Sequence, residues 1–431
     1  MGVKDTANLA LIPAAYKASK VYSALPTDGD GDFTFTRTGS GTRINKAGLI
    51  ETMATNVPRL NYRLDTDGNP SSCPELLLEP TRRNLFLNSE DFTNIIWIKT
   101  RTTITGNQTT APDGTQRADL LTGTGTGTSY IYDGVTLNNG VTYTISIFVK
   151  PILNISSFAI NIFGGVGTAY FNLVDKTVNS TTGDFTSAKI EDYGNGWLRC
   201  SGTLTLSSAT GSKNIGYGLF DFNGDQFYIW GAQVEDNALG GSASYISSYI
   251  PTAGSAVTRN KDEAKLTPFV DMANDYPVTV YAKARVDAVG NPVFGLNNTS
   301  SQNYYLFFSF DNSTQIRIAR GTLSANDFDN YNFSYSIGDI IKVAVVFISA
   351  TAYKLYVNGT EIANLSSGTS IPFNHDDITI GQLRITNDTG TRNSADELFL
   401  WNKALTDAEM VEVTSYTSFT EMATQQQYTI Q

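Results

Sequence analysis

The chain contains one histidine, His375, and two cysteines, Cys73 and Cys200. Zinc sites built on two or three imidazoles therefore have too few rings. A Ser-His-Asp or Cys-His nucleophile would have to use the one that is present. His375 stands in Pro372-Phe-Asn-His-Asp-Asp377, a polar, turn-like stretch, where a solvent-facing ring is expected rather than a general base. The two cysteines form no Cys-x-x-Cys pair and read as two buried or half-buried thiols. There is no Gly-x-Ser-x-Gly elbow, Walker phosphate loop or Gly-x-Gly-x-x-Gly after a strand.

The acids are more numerous but no better organised. Asp28-Gly-Asp-Gly-Asp32 alternates carboxylates as a cation loop does. Counted from Asp28, the sixth and twelfth places hold Phe33 and Gly39, where a calcium loop needs Gly and Glu. A Gly-rich acidic turn is the expected reading. Glycoside hydrolysis needs two carboxylates about 5–10 Å apart across a cleft, and among 41 acids the sequence singles out no such pair. A sugar platform needs an aromatic face with amide or carboxylate groups beside it. Tyr304, Tyr305, Tyr331 and Tyr335, among Asn303, Asn330 and Asn332, are the candidates for such a platform. Trp97, Trp197, Trp230 and Trp401 fall in strand patterns and are expected in the core.

The 431 residues carry 41 acids against 30 bases, a net charge of −11, with only 16% charged residues. An acidic chain without a Lys/Arg stripe has no electrostatic reason to hold nucleic-acid phosphates. Apolar runs such as Ile340–Ile348 are broken by Lys342 and fall short of the roughly 20 residues of a membrane span. The first residues contain no signal-peptide core. Synthesis in a cytoplasm is expected, with no membrane insertion.

The elements that must position these groups are mostly short strands. Val141, Tyr143, Ile145, Ile147 and Val149 alternate with mainly Thr and Ser, the pattern of a half-buried antiparallel strand. Further strands read at 157–162, 168–174, 197–206, 215–222, 226–234, 278–286, 304–310, 315–320 and 340–348. Asn358-Gly359 between two β-rich runs predicts a type I′ hairpin. Thr406, Glu409, Leu405 and Met410 have the spacing of a capping box and hydrophobic staple, predicting one short helix. Pro13, Pro26, Pro58, Pro70, Pro74 and Pro80 break up the first 85 residues, which read as an extended segment ill suited to folding alone.

Two stretches resemble known families. Asn84-Leu-Phe-Leu-Asn-Ser-Glu-Asp-Phe92, Gly194-Asn-Gly-Trp-Leu-Arg-Cys200, Trp230-Gly-Ala-Gln-Val-Glu235 and the run from Ser248 to Arg259 resemble a carbohydrate-binding-module-like sandwich of bacteriophage tail and head-fibre proteins. Leu355-Tyr-Val-Asn-Gly359, Ile378-Thr-Ile-Gly381 and the run from Ala395 to Glu409 resemble the laminin-G/concanavalin-A-like jelly roll. Gly31–Arg37, Gly48–Glu51, Val57–Leu60 and Cys73–Pro80 look like the segment that precedes such modules in phage virion proteins. These families admit a structural calcium, for which Asp221, Asp225, Asp376, Asp377 and Asp388 are available. Asp396 matches an acidic motif position and is expected to pin a loop.

The expected architecture is all-β: residues 1–85 an extended virion-attachment segment, 86–262 and 263–420 two antiparallel β-sandwiches of jelly-roll type, and 421–431 a tail. By resemblance the expected role is non-enzymatic, with no cofactor. It is that of a virion fibre, spike or decoration component, docked to other virion proteins through residues 1–85, assembled as a homo-oligomer (a trimer by class), and adhering to host-surface glycans. A decoration protein without a glycan ligand is the alternative, and a polysaccharide-degrading tailspike the distant one.

Overall fold

The computed structural model describes residues 2–152, 157–236, 245–269, 275–287, 291–299, 305–312, 314–322, 325–368, 370, 373, 375–381 and 393–416. Among these, antiparallel strands form twelve-, nine- and eight-stranded sheets and one two-stranded ribbon. Helix is confined to a 3-10 turn, Val3–Thr6, and the α-helix Asp407–Ser415. The all-β expectation holds.

The twelve-stranded sheet folds over itself around one core and makes the first sandwich. Its central strand Thr142–Pro151 lies between Leu198–Thr205 and Gly211–Asp236. Tyr143, Ile145, Ile147 and Val149 enter the core beside Ile160, Phe171 and Tyr217, as their period-2 spacing requires. The other face is buried as well. Phe148 packs with Trp197, Trp230, Tyr249 and Ile50 under the ribbon Gly41–Ile44/Ile50–Met53. This differs from the half-buried strand predicted from alternation. Small hydroxylated residues can be buried when paired, and here Thr144 meets Thr203 at 3.3 Å and Ser146 accepts from Arg199. The two strands predicted at 215–222 and 226–234 are one continuous strand, Gly211–Asp236. Its Asn223-Gly-Asp225 stretch falls where the register with Ala118–Leu137 shifts, making bulges in place of a turn.

The eight- and nine-stranded sheets face each other across the second core, which joins Val280, Val345, Leu398 and Leu400 to Phe294, Leu306, Phe308 and Ile318. In the predicted hairpin, Ala352–Val357 and Thr360–Leu365 are joined by Asn358 and Gly359 at φ 48° and 82°. The helix begins as its sequence dictates: Thr406 Oγ1 accepts from Glu409 N at 3.3 Å and Thr406 N donates to Glu409 at 2.7 Å. Leu405 and Met410 are buried in the same small cluster.

Residues 1–85 do not stand apart. Leu9–Leu11 and Glu75–Leu78 both pair with Asn393–Trp401, and Phe33–Thr36 pairs with Glu263–Leu266. Leu9, Leu11, Phe33, Phe35, Leu76 and Leu78 are core residues of the second sandwich. The segment expected to lie extended along other chains is instead built into both sheets of that sandwich. The physical reason is that strands of two to four residues gain little alone but complete an existing sheet edge.

A buried ionic cluster ties the segment to both sandwiches. Asp262 accepts from Arg37 at 3.1 Å, from Arg59, and from Glu79 N at 2.9 Å. Glu79 accepts from Arg59 at 2.7 Å and lies 3.0 Å from Arg259. Arg259 also donates to Ser247 and Ser248 at 3.0 and 2.9 Å. Four of the residues carrying the phage-protein resemblance, Arg37, Arg59, Glu79 and Arg259, thus have structural roles.

Candidate functional site

The tyrosine platform is not assembled among the described residues. Tyr304 and Asn303 lie outside them. Tyr305 pairs with Gly321 and Tyr331 with Ile316, five positions apart along the strand Gln315–Thr322 that separates them. Tyr331 is half-buried, and its hydroxyl lies 2.5 Å from that of Tyr353, which donates to Asp329 at 2.6 Å. Tyr335 is buried against Phe310 and donates to Gln315 O at 3.2 Å. It is a core residue, in the same cluster as Phe308, Phe310 and Ile316. Asn332 is exposed and accepts from Gln315, while Asn330 accepts from Arg317 at 2.8 Å.

The other singled-out residues are placed as follows. His375 is 3% exposed, not solvent-facing, with its ring 5.0 Å from Phe373. Neither ring nitrogen has a hydrogen-bond partner, and burial pushes its pKa down to about 3, against a smaller opposing pull from Asp376. Cys200 is buried and its thiol pushed up by desolvation, whereas Cys73 is exposed. Asp28 accepts from Asp30 N within the acidic turn and Asp32 from Ser23 N, so these two carboxylates hold the turn and tie it to the chain before it. Asp376 accepts from Thr299, and Asp377 from Thr267. Asp388 lies outside the described residues, within which no three His, Cys, Asp or Glu side chains are grouped to hold a metal. Asp396 lies 3.8 Å from Arg63 and 3.5 Å from Lys283, tying the N-terminal segment to the last strand. The four tryptophans are all buried.

What the structure does form is a cleft of about 600 Å³ where the N-terminal segment meets the first sandwich. One wall is the ribbon with Asn61, Arg63 and Asp65. The other is the end of Phe185–Asp192, Tyr193, Arg199 and the Ser247–Tyr249 connection, and Arg285 of the second sandwich reaches it too. The turn Gly194-Asn-Gly196, with Asn195 and Gly196 at φ 52° and 80°, joins Phe185–Asp192 to Leu198–Thr205 and so sets Tyr193 beside Arg199. Gly68, just beyond the lining residue Thr66, packs against the turn. A Cβ there would lie 2.2 Å from Gly194 N, so the two loops meet backbone to backbone.

Six bases and three acids line the cleft, in a chain whose net charge is −11. Five of the bases have a carboxylate nearby: Arg43–Glu51 at 2.9 Å, Lys176–Asp192 at 2.5 Å, Lys189–Glu191 at 2.6 Å, Arg285–Asp287 at 3.7 Å, and Arg63–Glu75. Arg199 differs. It is 1% exposed, donates to Ser247 O at 2.8 Å, Ser146 Oγ at 3.3 Å and Tyr193 OH at 3.5 Å, and lies 5.0 Å over the Phe148 ring. Its Nε has no partner, and no carboxylate of the described residues lies within 4 Å of the group. Of the stretches quoted for family resemblance, Gly194–Cys200, Ser248–Arg259 and Gly48–Glu51 each contribute lining residues, but no local pattern showed that they meet; the wall carrying Asn61, Arg63 and Asp65 comes from residues more than 120 positions before Gly194.

Residues 258–410 match the family model described as the concanavalin A-like lectin/glucanases superfamily. No curated protein matches the chain. Among solved structures it is similar to the CBM40 of the Ruminococcus gnavus IT-sialidase bound to α2,3-sialyllactose, at 16% identity over 33% of this chain and 84% of that one, TM-score 0.29. Domain 4 of AbnA, a GH43 extracellular arabinanase from Geobacillus stearothermophilus in complex with arabinotriose, is 13% identical over 36% and 73%, TM-score 0.30. A heptameric SAP-like pentraxin from Limulus polyphemus is 14% identical over 34% and 72%, TM-score 0.29.

Proposed function

We propose that this chain is a non-enzymatic structural protein of a bacteriophage particle, a fibre, spike or decoration component, whose β-sandwiches adhere to host-surface glycans. The observation that carries the glycan part is the family match over 258–410, in a region whose two facing antiparallel sheets share one core. The phage part is supported by the sequence resemblance of residues 1–262. Adhesion would work by number. A shallow saccharide site binds weakly, but repeated copies on one particle raise avidity by about 10²–10⁴ through effective concentration.

The test displays the intact chain multivalently on beads over a glycan array and host envelope, with polysaccharide chain length followed in parallel. Binding without shortening of the polymer is expected. No binding at high valency would leave the ligand-free decoration role, and shortened polymer would establish a degrading enzyme. Immunogold labelling of particles tests the virion assignment, which absence from purified particles would overturn.

A further inference from the structure

The buried Arg199 has no carboxylate partner among the described residues, and its Nε makes no hydrogen bond. A guanidinium taken out of water without a counter-ion is costly unless something supplies one. Every other base of the cleft has a carboxylate partner, whereas Arg199 is held in place by a carbonyl, two hydroxyls and a ring face. It lies on the floor of a cleft large enough for one or two sugar rings.

The remaining lining leaves the charge of Arg199 to the ligand. The cleft acids are engaged by the protein itself, Asp65 accepting from Asp67 N and Asn69 N, Asp192 from Gly194 N and Lys176, and Glu191 from Lys189, so one ligand carboxylate would match the one base without an acidic partner. Tyr193 is half-buried, edge-on to Phe148 at 4.8 Å and 88°, and is the aromatic surface available to the C–H face of a pyranose. We propose that the cleft between the N-terminal segment and the first sandwich binds an acidic saccharide, with its sugar carboxylate seated on Arg199. This rests on the glycan-binding reading above and adds to it the place and the ligand class, away from the tyrosines that the sequence singled out.

The test titrates the intact chain with glucuronic acid, N-acetylneuraminic acid, glucose and sodium sulfate by calorimetry, for the native protein, Arg199→Gln and Lys189→Glu. Both acidic sugars are expected to bind, at least about tenfold more tightly than glucose, a charge-assisted pair being worth that much; whichever is tighter identifies the source of the carboxylate. Arg199→Gln should lose about tenfold for the acids and nothing for glucose. Lys189→Glu, on the exposed rim, keeps the fold and should weaken the acids a few-fold, so the proposal stays testable even if Arg199→Gln fails to fold. Equal affinity for glucose and the acids, or unchanged acid binding in both variants, would overturn the proposal. So would sulfate binding as tightly as the sugars. Neutral glycans bound on the array while both acids fail would defeat this inference alone. Failure of every glycan there would defeat the adhesion reading with it.

Discussion

Asp262 is 6% exposed and is shared by Arg37 and Arg59 while capping Glu79 N. Removing it would leave two guanidiniums buried with one carboxylate fewer. Asp262→Ala is therefore expected to cost about 3–5 kcal/mol, read as a lower urea midpoint; a loss under about 1 kcal/mol would show that water replaces it. His375 behaves oppositely, being held neutral. In the unfolded chain it takes its proton near 6.5, and in the folded protein only near 3. Between those values the unfolded state binds more protons, so stability falls as pH drops below about 6.5, by at most about 1.4 kcal/mol per pH unit. Above 6.5 the contribution is complete. His375→Phe should lose less stability between pH 7 and pH 4 than the native chain does, in paired melts. Parallel acid limbs would place the imidazole in water. Residue type alone misplaced this ring: a polar loop sequence predicts exposure, but Phe373 and the sheet end cover it.

At the scale of elements, local chemistry and position agree where the signal is short-range. Asn358-Gly359 needs two positive φ angles and has them, and Gly359 N donates to Thr414 Oγ1 at 3.0 Å, docking the turn on the helix end. Gly359→Ala should cost roughly 1–2 kcal/mol for the left-handed backbone alone. The Cβ would also lie 3.2 Å from that of Ser415, so the melt should drop further. An unchanged melting temperature would mean that the turn relaxes to another type. The capping box was equally readable, since all its partners lie within five residues. Strand Thr142–Pro151 was only half readable: its inner face follows from alternation, but its second buried face depends on a ribbon about 90 residues upstream.

At the scale of the molecule, the first core draws its buried residues from Phe86 to Val234, whereas the second needs Leu9, Phe33, Phe35, Leu76 and Leu78 from the start of the chain. A fragment of residues 82–259 is expected to melt cooperatively. One of residues 263–431 should not, since it exposes the strand edges that Leu9–Leu11, Glu75–Leu78 and Phe33–Thr36 cover. Circular dichroism melts of the two fragments check this, and a cooperative transition in 263–431 would show that the N-terminal strands are dispensable. Deleting residues 1–85 would therefore damage a sandwich as well as any attachment function. Surface substitutions on that segment are the sounder probe of virion docking.

The sequence by itself determined the all-β class, the main strands, the Asn-Gly hairpin and the capped helix. Each rests on period-2 alternation, turn chemistry or capping, interactions closed within a few residues. Only the tertiary structure decided that the proline-broken start completes the last sandwich, that Tyr335 and His375 are buried, and that Arg199 faces a cleft walled by Asn61 and Arg63. Those facts depend on which strand edges and sheet faces meet over separations of a hundred residues or more. Nothing in local residue spacing encodes that.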